Sequence, residues 1–512
     1  MNPQPLSPRA EALWDAAADL LRRHDRNGRT LAAPDLYPHQ WSWDSAFIAL
    51  GWAQVDLGRA ALELETLLAA QWSNGKIPHI VFDPAAPPDS YAPGPQHWVC
   101  EVPDGAPAGC TPHTSGLCQP PVHAIAADRL WQAAARQGSP ATDRIRAFLE
   151  DAFAPLMAWH AYLLDARDIE GSGLVSIYHP WESGMDNSPR WDQPLATVHP
   201  LADEALSRPD LGLLHDASQR PSQAAYGRYH WLVGLLRRHC YDDRTAQVTH
   251  PFLVKDVFTS GLLVAANRAL LRIARLIGAT GQERRQIRTW IDAGRRGLEG
   301  ARDPVTGLAR DYDVRAGHWL SPRTVGGFAE LVAGTTHGDH LRDLIGLLES
   351  EAFAGAASLR WATPPSTSPL EPEFDPRRYW RGPSWPVVTW LLWWALRRAR
   401  QKPAAERLRQ AGLDQIWCSG EFPEYLEPFS GEPLGSLQQS WTAAVTLDWL
   451  DSGRRWGQPA QLRGHRRSAA APCGEPDPTT DTASRRPSPV PHRSAPARPS
   501  PVRDAPVRPG GR

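Results

Sequence analysis

Two stretches of this chain concentrate the residue types that can move a proton. Residues 179–192, His-Pro-Trp-Glu-Ser-Gly-Met-Asp-Asn-Ser-Pro-Arg-Trp-Asp, hold three acids (Glu182, Asp186 and Asp192), two tryptophans and one arginine around a Gly-Met pair. Residues 420–432 supply Glu421, Glu424, Glu427 and Glu432 among Phe422, Tyr425 and Phe429. A carboxyl group packed against an indole loses water, so its charged form is disfavoured and it stays protonated near neutral pH. Indole faces also cover the apolar side of a sugar ring. Cleaving a glycosidic bond with inversion needs one such acid to protonate the leaving oxygen and a second carboxylate to activate water, about 6.5–9.5 Å away. The two are expected from different loops, and residue type alone does not choose among the candidates.

Asp44, in Trp41-Ser42-Trp43-Asp44, is a third acid set among aromatics. A carboxylate can accept from two adjacent sugar hydroxyls, so Asp44 is expected to grip the nonreducing sugar. It could equally cap a helix over Ser45 to Gly51. The same duality holds for Asp186, because Asp-Asn-Ser-Pro is also strong helix-capping chemistry.

The elements that must bring these loops together are helices. Apolar residues recur at three- and four-residue spacing over 9–24, 58–72, 121–137, 142–164, 226–239, 254–277, 283–298, 325–331, 341–348, 385–400, 404–411 and 440–455. Convincing period-two strands are scarce, so the chain is expected to be all-α. About a dozen helices, joined alternately by short turns and by long Trp-, Gly- and Pro-rich loops, suit a closed ring of helical hairpins. The segments 37–47, 72–95, 114–121, 179–192, 379–386 and 421–442 fall between helices or at helix starts, where binding residues concentrate. They are expected on one face of the ring.

Composition excludes several function classes. The chain carries a net charge of −1, but the residues after Trp456 have ten Arg against four acids, leaving the body at −7. A mildly acidic body argues against a nucleic-acid groove. The 23 Trp are many for 512 residues and often sit beside polar neighbours in loop contexts, which favours sugar stacking over core filling alone. The six Cys form no CxxC and no tight Cys/His spacing, so neither zinc nor a redox pair is indicated and reduced thiols are expected. No signal-peptide pattern opens the chain, and no segment reads as the roughly 18 apolar residues that span a bilayer, so a cytoplasmic protein off the membrane is expected. Twelve of the last 57 residues are Pro. Residues 1–456 are therefore read as one catalytic body and 457–512 as a disordered Pro/Arg/Ser-rich tail. The Cys-, Gly- and Pro-rich stretch from Trp98 to Thr111 reads as a mobile lid.

Six segments in order, YPHQWSWDSAF (37–47), QWSNGKIPHIVF (71–82), SGLCQPPVHA (115–124), HPWESGMDNSPRWD (179–192), YWRGPSWP (379–386) and EYLEPFSGEPLGSLQQSWTAA (424–444), resemble the motifs of glycoside hydrolase family 63. Within it the chain is most similar to the compact bacterial members that act on mannosylglycerate and glucosylglycerate. The resemblance covers nearly everything up to Trp456. It implies an (α/α)6 barrel and an inverting α-glycosidase for a small glycoside, without metal or organic cofactor. By the same correspondence Asp186 is the general acid and Glu424 the general base. Tyr37, Trp41, Asp44, Trp181, Tyr91, Gln119 and Gln439 would line the cavity, and Arg220 with Tyr226 would hold the glycerate. A buried aglycone carboxylate needs such a cation. Trp380, Arg381 and Trp385 are expected at the pocket, His39 and His79 as braces, and Glu182 and Asp192 as orienting groups for neighbours such as Arg190. Cys118 stands where the resemblance leads one to expect Thr. The alternatives are an α-glucosidase for neutral di- or oligosaccharides, trehalose-like ones included, and a sugar-binding barrel without catalysis. The expected partner is a small glycoside, with no nucleic acid or membrane, and a homo-oligomer is compatible with the sequence.

Overall fold

The computed structural model describes residues 5–87, 89–99, 113–200, 207–214 and 216–455. The chain divides into residues 1–466 and 467–512, and the second unit lies outside the described residues. So do the tail read over 457–512 and residues 100–111 of the stretch read as a lid.

Among the described residues, sixteen α-helices carry the fold. The first eight are α1 (Pro8–His24), α2 (Ser42–Val55), α3 (Leu57–Leu68), α4 (His123–Gln137), α5 (Ala141–Asp165), α6 (Asp192–Ala196), α7 (Pro209–Leu213) and α8 (Gln223–Arg238). The rest are α9 (Asp243–Thr249), α10 (Val257–Leu276), α11 (Gly281–Gly300), α12 (Ala329–Ala333), α13 (Gly338–Leu348), α14 (Pro386–Arg398), α15 (Lys402–Ser419) and α16 (Ser440–Arg455). Helices α2, α4, α10, α12, α14 and α16 pack side by side in that order, and α16 returns to α2. This is a closed inner ring. Helices α1, α3, α5, α11 and α15 each lie across two inner helices, and α13 docks through Leu344 and Leu348 on the same core. Inner and outer helices alternate along the chain, which is the (α/α)6 barrel; α6 to α9 form an excursion between α5 and α10.

The strands are two residues each. The largest sheet is antiparallel, Ser176–Ile177, Val254–Lys255, Tyr312–Asp313 and His318–Trp319, in that order.

Burial explains which helices the hydrophobic period reveals. Outer helices bury one stripe; on α11 that stripe is Ile287, Trp290, Gly294 and Leu298, and its start carries a Thr280/Glu283 capping box. Inner helix α2 is walled on every side. Every residue of α2 from Ser42 to Ala53 is buried, so no amphipathic period marks it, and the twelve expected segments omit it. They include 226–239 instead, which is α8 of the excursion. Helix α10 is apolar and long enough by composition to cross a membrane, against the reading that no segment is, but its surface is spent inside the ring.

Closure depends on close backbone approach. A Cβ on Gly51 of α2 would lie 2.5 Å from Ala444 Cα of α16, and one on Gly261 of α10 would lie 2.6 Å from the Ala329 carbonyl oxygen of α12. Glycine is required at both contacts because no side-chain motion relieves an overlap with backbone.

Candidate active site

Every connection leading from an outer helix into an inner one opens on the same end of the ring. Trp41 is the N-cap of α2 and Asp44 lies in its first turn. Gln119 precedes α4, Asp186 lies between α5 and α10, Tyr379 and Trp380 precede α14, and Glu424 and Gln439 precede α16. The inner helix N-termini therefore converge on this end, where their positive dipole ends favour carboxylates.

One cavity there is walled by twelve of the fourteen residues expected at it from the sequence: Tyr37, Trp41, Asp44, Tyr91, Gln119, Trp181, Asp186, Arg220, Tyr226, Trp380, Glu424 and Gln439. Trp385 and Arg381 are the exceptions. Trp385 stacks behind Trp380 with ring centroids 3.7 Å apart and 4° between planes, and its other neighbour is Tyr425 at 4.6 Å. It holds the wall from behind. Arg381 is also off the wall, paired with Asp192 at 2.9 and 2.7 Å. Trp43, Gly184, Tyr379 and Trp441 complete the lining and were not among the expected residues, although each lies inside one of the six segments quoted above. A Cβ on Gly184 would lie 2.8 Å from the Trp43 ring, so glycine keeps that corner open, at φ +68°.

The carboxyl groups of the cavity differ in their surroundings. Burial raises Asp186 from the ordinary aspartate range to about 7; the Arg220 charge and its own backbone N–H oppose the rise, and Glu424 adds to it. Glu424 is also raised by burial, but the Arg220 charge and three donors work against the shift. The Tyr37 hydroxyl donates to its Oε1 at 2.8 Å, the Tyr379 hydroxyl at 3.3 Å, and Ser436 N–H donates to Oε2 at 3.2 Å. Such donors favour the ionised form. Asp44 is pushed well above the usual range by burial and then by Glu424, with Gln439 Nε2 3.4 Å from its Oδ1. The other acids of residues 420–432 serve elsewhere. Glu421 is exposed, Glu427 accepts from the backbone N–H and hydroxyl of Ser430 in its own turn, and Glu432 pairs with Arg377.

Arg220 is the arginine on the cavity wall, 6% exposed. Its Nη1 donates to the Tyr37 hydroxyl at 2.8 Å, its guanidinium lies 4.2 Å over the Tyr379 ring, and Asp210 is 3.4 Å from Nε. Three polar atoms of lining residues, Trp41 Nε1, Trp441 Nε1 and Gln439 Oε1, are buried without a hydrogen-bond partner. Buried groups of this kind are normally satisfied, and a polyhydroxylated ligand would satisfy them.

Behind the wall the histidines are structural. His179 Nε2 lies 3.0 Å from the Tyr229 carbonyl and Nδ1 accepts from Trp181 N–H at 3.0 Å, which fixes the neutral tautomer against the Trp181 ring. Burial lowers His79 to about 3 and His39 to about 4; their rings pack edge-on against Trp41 and Tyr91 respectively. Cys118 is off the cavity wall, its thiol donating to Glu182 Oε1 at 3.4 Å. Glu182 and Asp192 do not orient Arg190. Glu182 takes a bidentate grip from Arg167 at 2.8 and 2.9 Å, while Arg190 binds Asp256 and Asp311.

Residues 37–442 match the family model of the mannosylglycerate hydrolase MGH1-like glycoside hydrolase domain. The chain belongs to this glycoside hydrolase family. Glucosylglycerate hydrolase from Mycolicibacterium hassiacum is 46% identical over 435 residues, 85% of this chain and 96% of that one. Among solved structures, the family 63 mannosylglycerate hydrolase of Thermus thermophilus in complex with Tris superposes with TM-score 0.78 at 38% identity, covering 85% of this chain and 99% of that one. The same enzyme with Tris and D-glycerate gives TM-score 0.77 at the same identity and coverage. As a member of this family, the chain is an enzyme that hydrolyses O-glycosidic bonds.

Proposed function

We propose that this hydrolase cleaves α-glucosylglycerate, and with it α-mannosylglycerate, to the free hexose and glycerate with inversion of the anomeric configuration. Asp186 gives its proton to the glycosidic oxygen as the bond to the anomeric carbon breaks. Glu424 takes a proton from the water that attacks that carbon from the opposite face. Asp44, Gln439, Gln119 and the indoles of Trp41, Trp181 and Trp380 hold the sugar, and Arg220 with Tyr226 and Tyr91 receives the glycerate carboxylate.

The observation that carries this reading is one cavity that joins a buried acid, raised by that burial to about 7, to a donor-rich carboxylate and a buried arginine. Burial raises both carboxyls, and the three donors that oppose the rise at Glu424 favour its ionised form, as a base paired with an acid requires. The arginine supplies what an anionic aglycone requires, since an unpaired carboxylate is costly to bury. The glucosylglycerate hydrolase at 46% identity and the glycerate complex of the structural relative support the substrate.

The test is hydrolysis of glucosylglycerate, mannosylglycerate, trehalose, kojibiose and nigerose, with the first-formed anomer followed by NMR. The expected result is preference for the glycerates and release of the β-hexose. Release of the α-anomer rejects the inverting assignment, and preference for a neutral disaccharide rejects the glycerate assignment.

A further inference from the structure

Asp186 lies between two residues in left-handed backbone, Gly184 at φ +68° and Asn187 at φ +64°. Such a backbone persists only where surrounding contacts hold it. Within the loop, Met185 N–H donates to Ser183 Oγ at 2.9 Å and Trp191 Nε1 donates to the Met185 carbonyl at 3.0 Å. Asn187 N–H donates to the Tyr229 hydroxyl of α8 at 3.2 Å. These bonds shape the loop without fixing it to the inner ring.

Arg190 makes the attachment to α10, while Arg381, ahead of α14, donates to the Asn187 carbonyl at 3.4 Å and pairs with Asp192. Arg190 is 1% exposed; Nη2 donates to Asp256 Oδ1 at 2.6 Å, and Nε and Nη2 donate to the two Asp311 oxygens at 2.7 Å each. Both partners close the start of inner helix α10. Asp256 is its N-cap, accepting from Phe258 and Thr259 N–H, and Asp311 accepts from Val257 N–H at 3.0 Å. The guanidinium lies so close to Gly326 that a Cβ there would stand 3.0 Å from it. A buried ion cluster of this kind contributes little net stability over an apolar replacement, because desolvation offsets the attraction. What it provides is one defined geometry, since a planar fork meets two carboxylates in only one orientation.

We propose that Arg190 is a positioning residue for proton donation: its grip on Asp256 and Asp311 fixes the loop to α10 and so aims the Asp186 carboxyl at the leaving oxygen. The inference rests on Asp186 being the proton donor. A glycerate leaving group needs that proton. Fluoride does not: in α-glucosyl fluoride the C–F bond breaks with its electron pair, water supplies the new C–O bond, and Glu424 takes the water's proton. Misaiming Asp186 therefore penalises the glycoside and spares the fluoride.

The experiment compares wild type, Arg190→Lys, Asp311→Asn and Asp186→Asn on α-glucosylglycerate and α-glucosyl fluoride. Arg190→Lys keeps the charge and removes the fork. It is expected to lose about 100-fold in kcat on the glycoside, with KM within about 3-fold, and less than about 5-fold on the fluoride, as general-acid catalysis is worth roughly 10²–10⁴-fold. Equal losses on both substrates, or no loss on the glycoside, overturn the proposal. Asp311→Asn, which keeps the Arg190–Asp256 pair, is expected to show the same split at about 10-fold and decides the matter if Arg190→Lys does not fold. If Asp186→Asn lacks the split, the proton-donor reading falls and takes this one with it. If it shows the split while the other two do not, positioning alone is rejected.

Discussion

Asp186 and Glu424 stand in one cavity and burial is the leading influence on both, yet three donors oppose it at Glu424. Activity should therefore fall as pH rises through about 7, where Asp186 loses its proton. It should also fall on the acid side as Glu424, raised above the ordinary glutamate range, gains one. A pH profile of kcat/KM checks both limbs. The same shift has a consequence for stability. An acid at about 7 in the folded chain and 3.8 in the unfolded one costs stability progressively as pH rises between those values, and the full cost is present above them. Asp186→Asn should consequently raise Tm at pH 8 and leave it unchanged at pH 3, and a thermal-unfolding series would show an equal gain at both pH values if burial were not the cause. Cys118 makes a different case. Its thiol donates to Glu182, so Cys118→Ser should keep kcat within about 2-fold, whereas Cys118→Val removes that donor at a cost of about 1 kcal/mol in chemical denaturation.

At the scale of elements, the ring closes where helices touch through glycine. Gly51→Val sets its side chain against the Ala444 backbone and should destabilise the protein by about 3 kcal/mol, with a lowered urea midpoint as the measure. A substitution at Gly346 of α13, where a Cβ meets nothing within 4 Å, has no such overlap to relieve. The hydrophobic period marks helices of one buried stripe, such as α11, but not α2, which is legible only as a helix over Ser45 to Gly51 capped by Asp44; it begins at Ser42 with Trp41 as N-cap and is buried all round to Ala53. Period reports amphipathicity: α10, also an inner helix, keeps Arg268, Arg272 and Arg275 along one side and shows a period over 254–277, whereas α2 keeps no such side. Most site residues were legible because their segments resemble family motifs; Tyr91, Arg220 and Tyr226 lie outside the six, and residue type alone left Asp186 and Glu424 unseparated from neighbouring acids. Which indole of a segment faces the cavity was not legible: Trp380 and Trp385 sit five positions apart and stack, so one hides the other. Nor could spacing show that Arg190 pairs with Asp256 and Asp311, which reach it from 66 and 121 positions away.

For the molecule as a whole, the family match ends at residue 442 and α16 at Arg455. A chain ending at residue 456 should keep wild-type kcat/KM on glucosylglycerate, and a loss beyond about 3-fold would assign the Pro/Arg-rich remainder a part in catalysis, since segments of that composition ordinarily lack a core of their own. The ring has first and last members, α2 and α16, that meet only when the chain is nearly complete. Asp44 and Tyr37 arrive early, Asp186 midway, and Glu424 and Gln439 almost at the end. During synthesis the nascent polypeptide therefore carries the proposed proton donor well before the proposed base. The two carboxyls can share one cavity only after the segment leading into α16 has docked and α16 has closed the ring against α2.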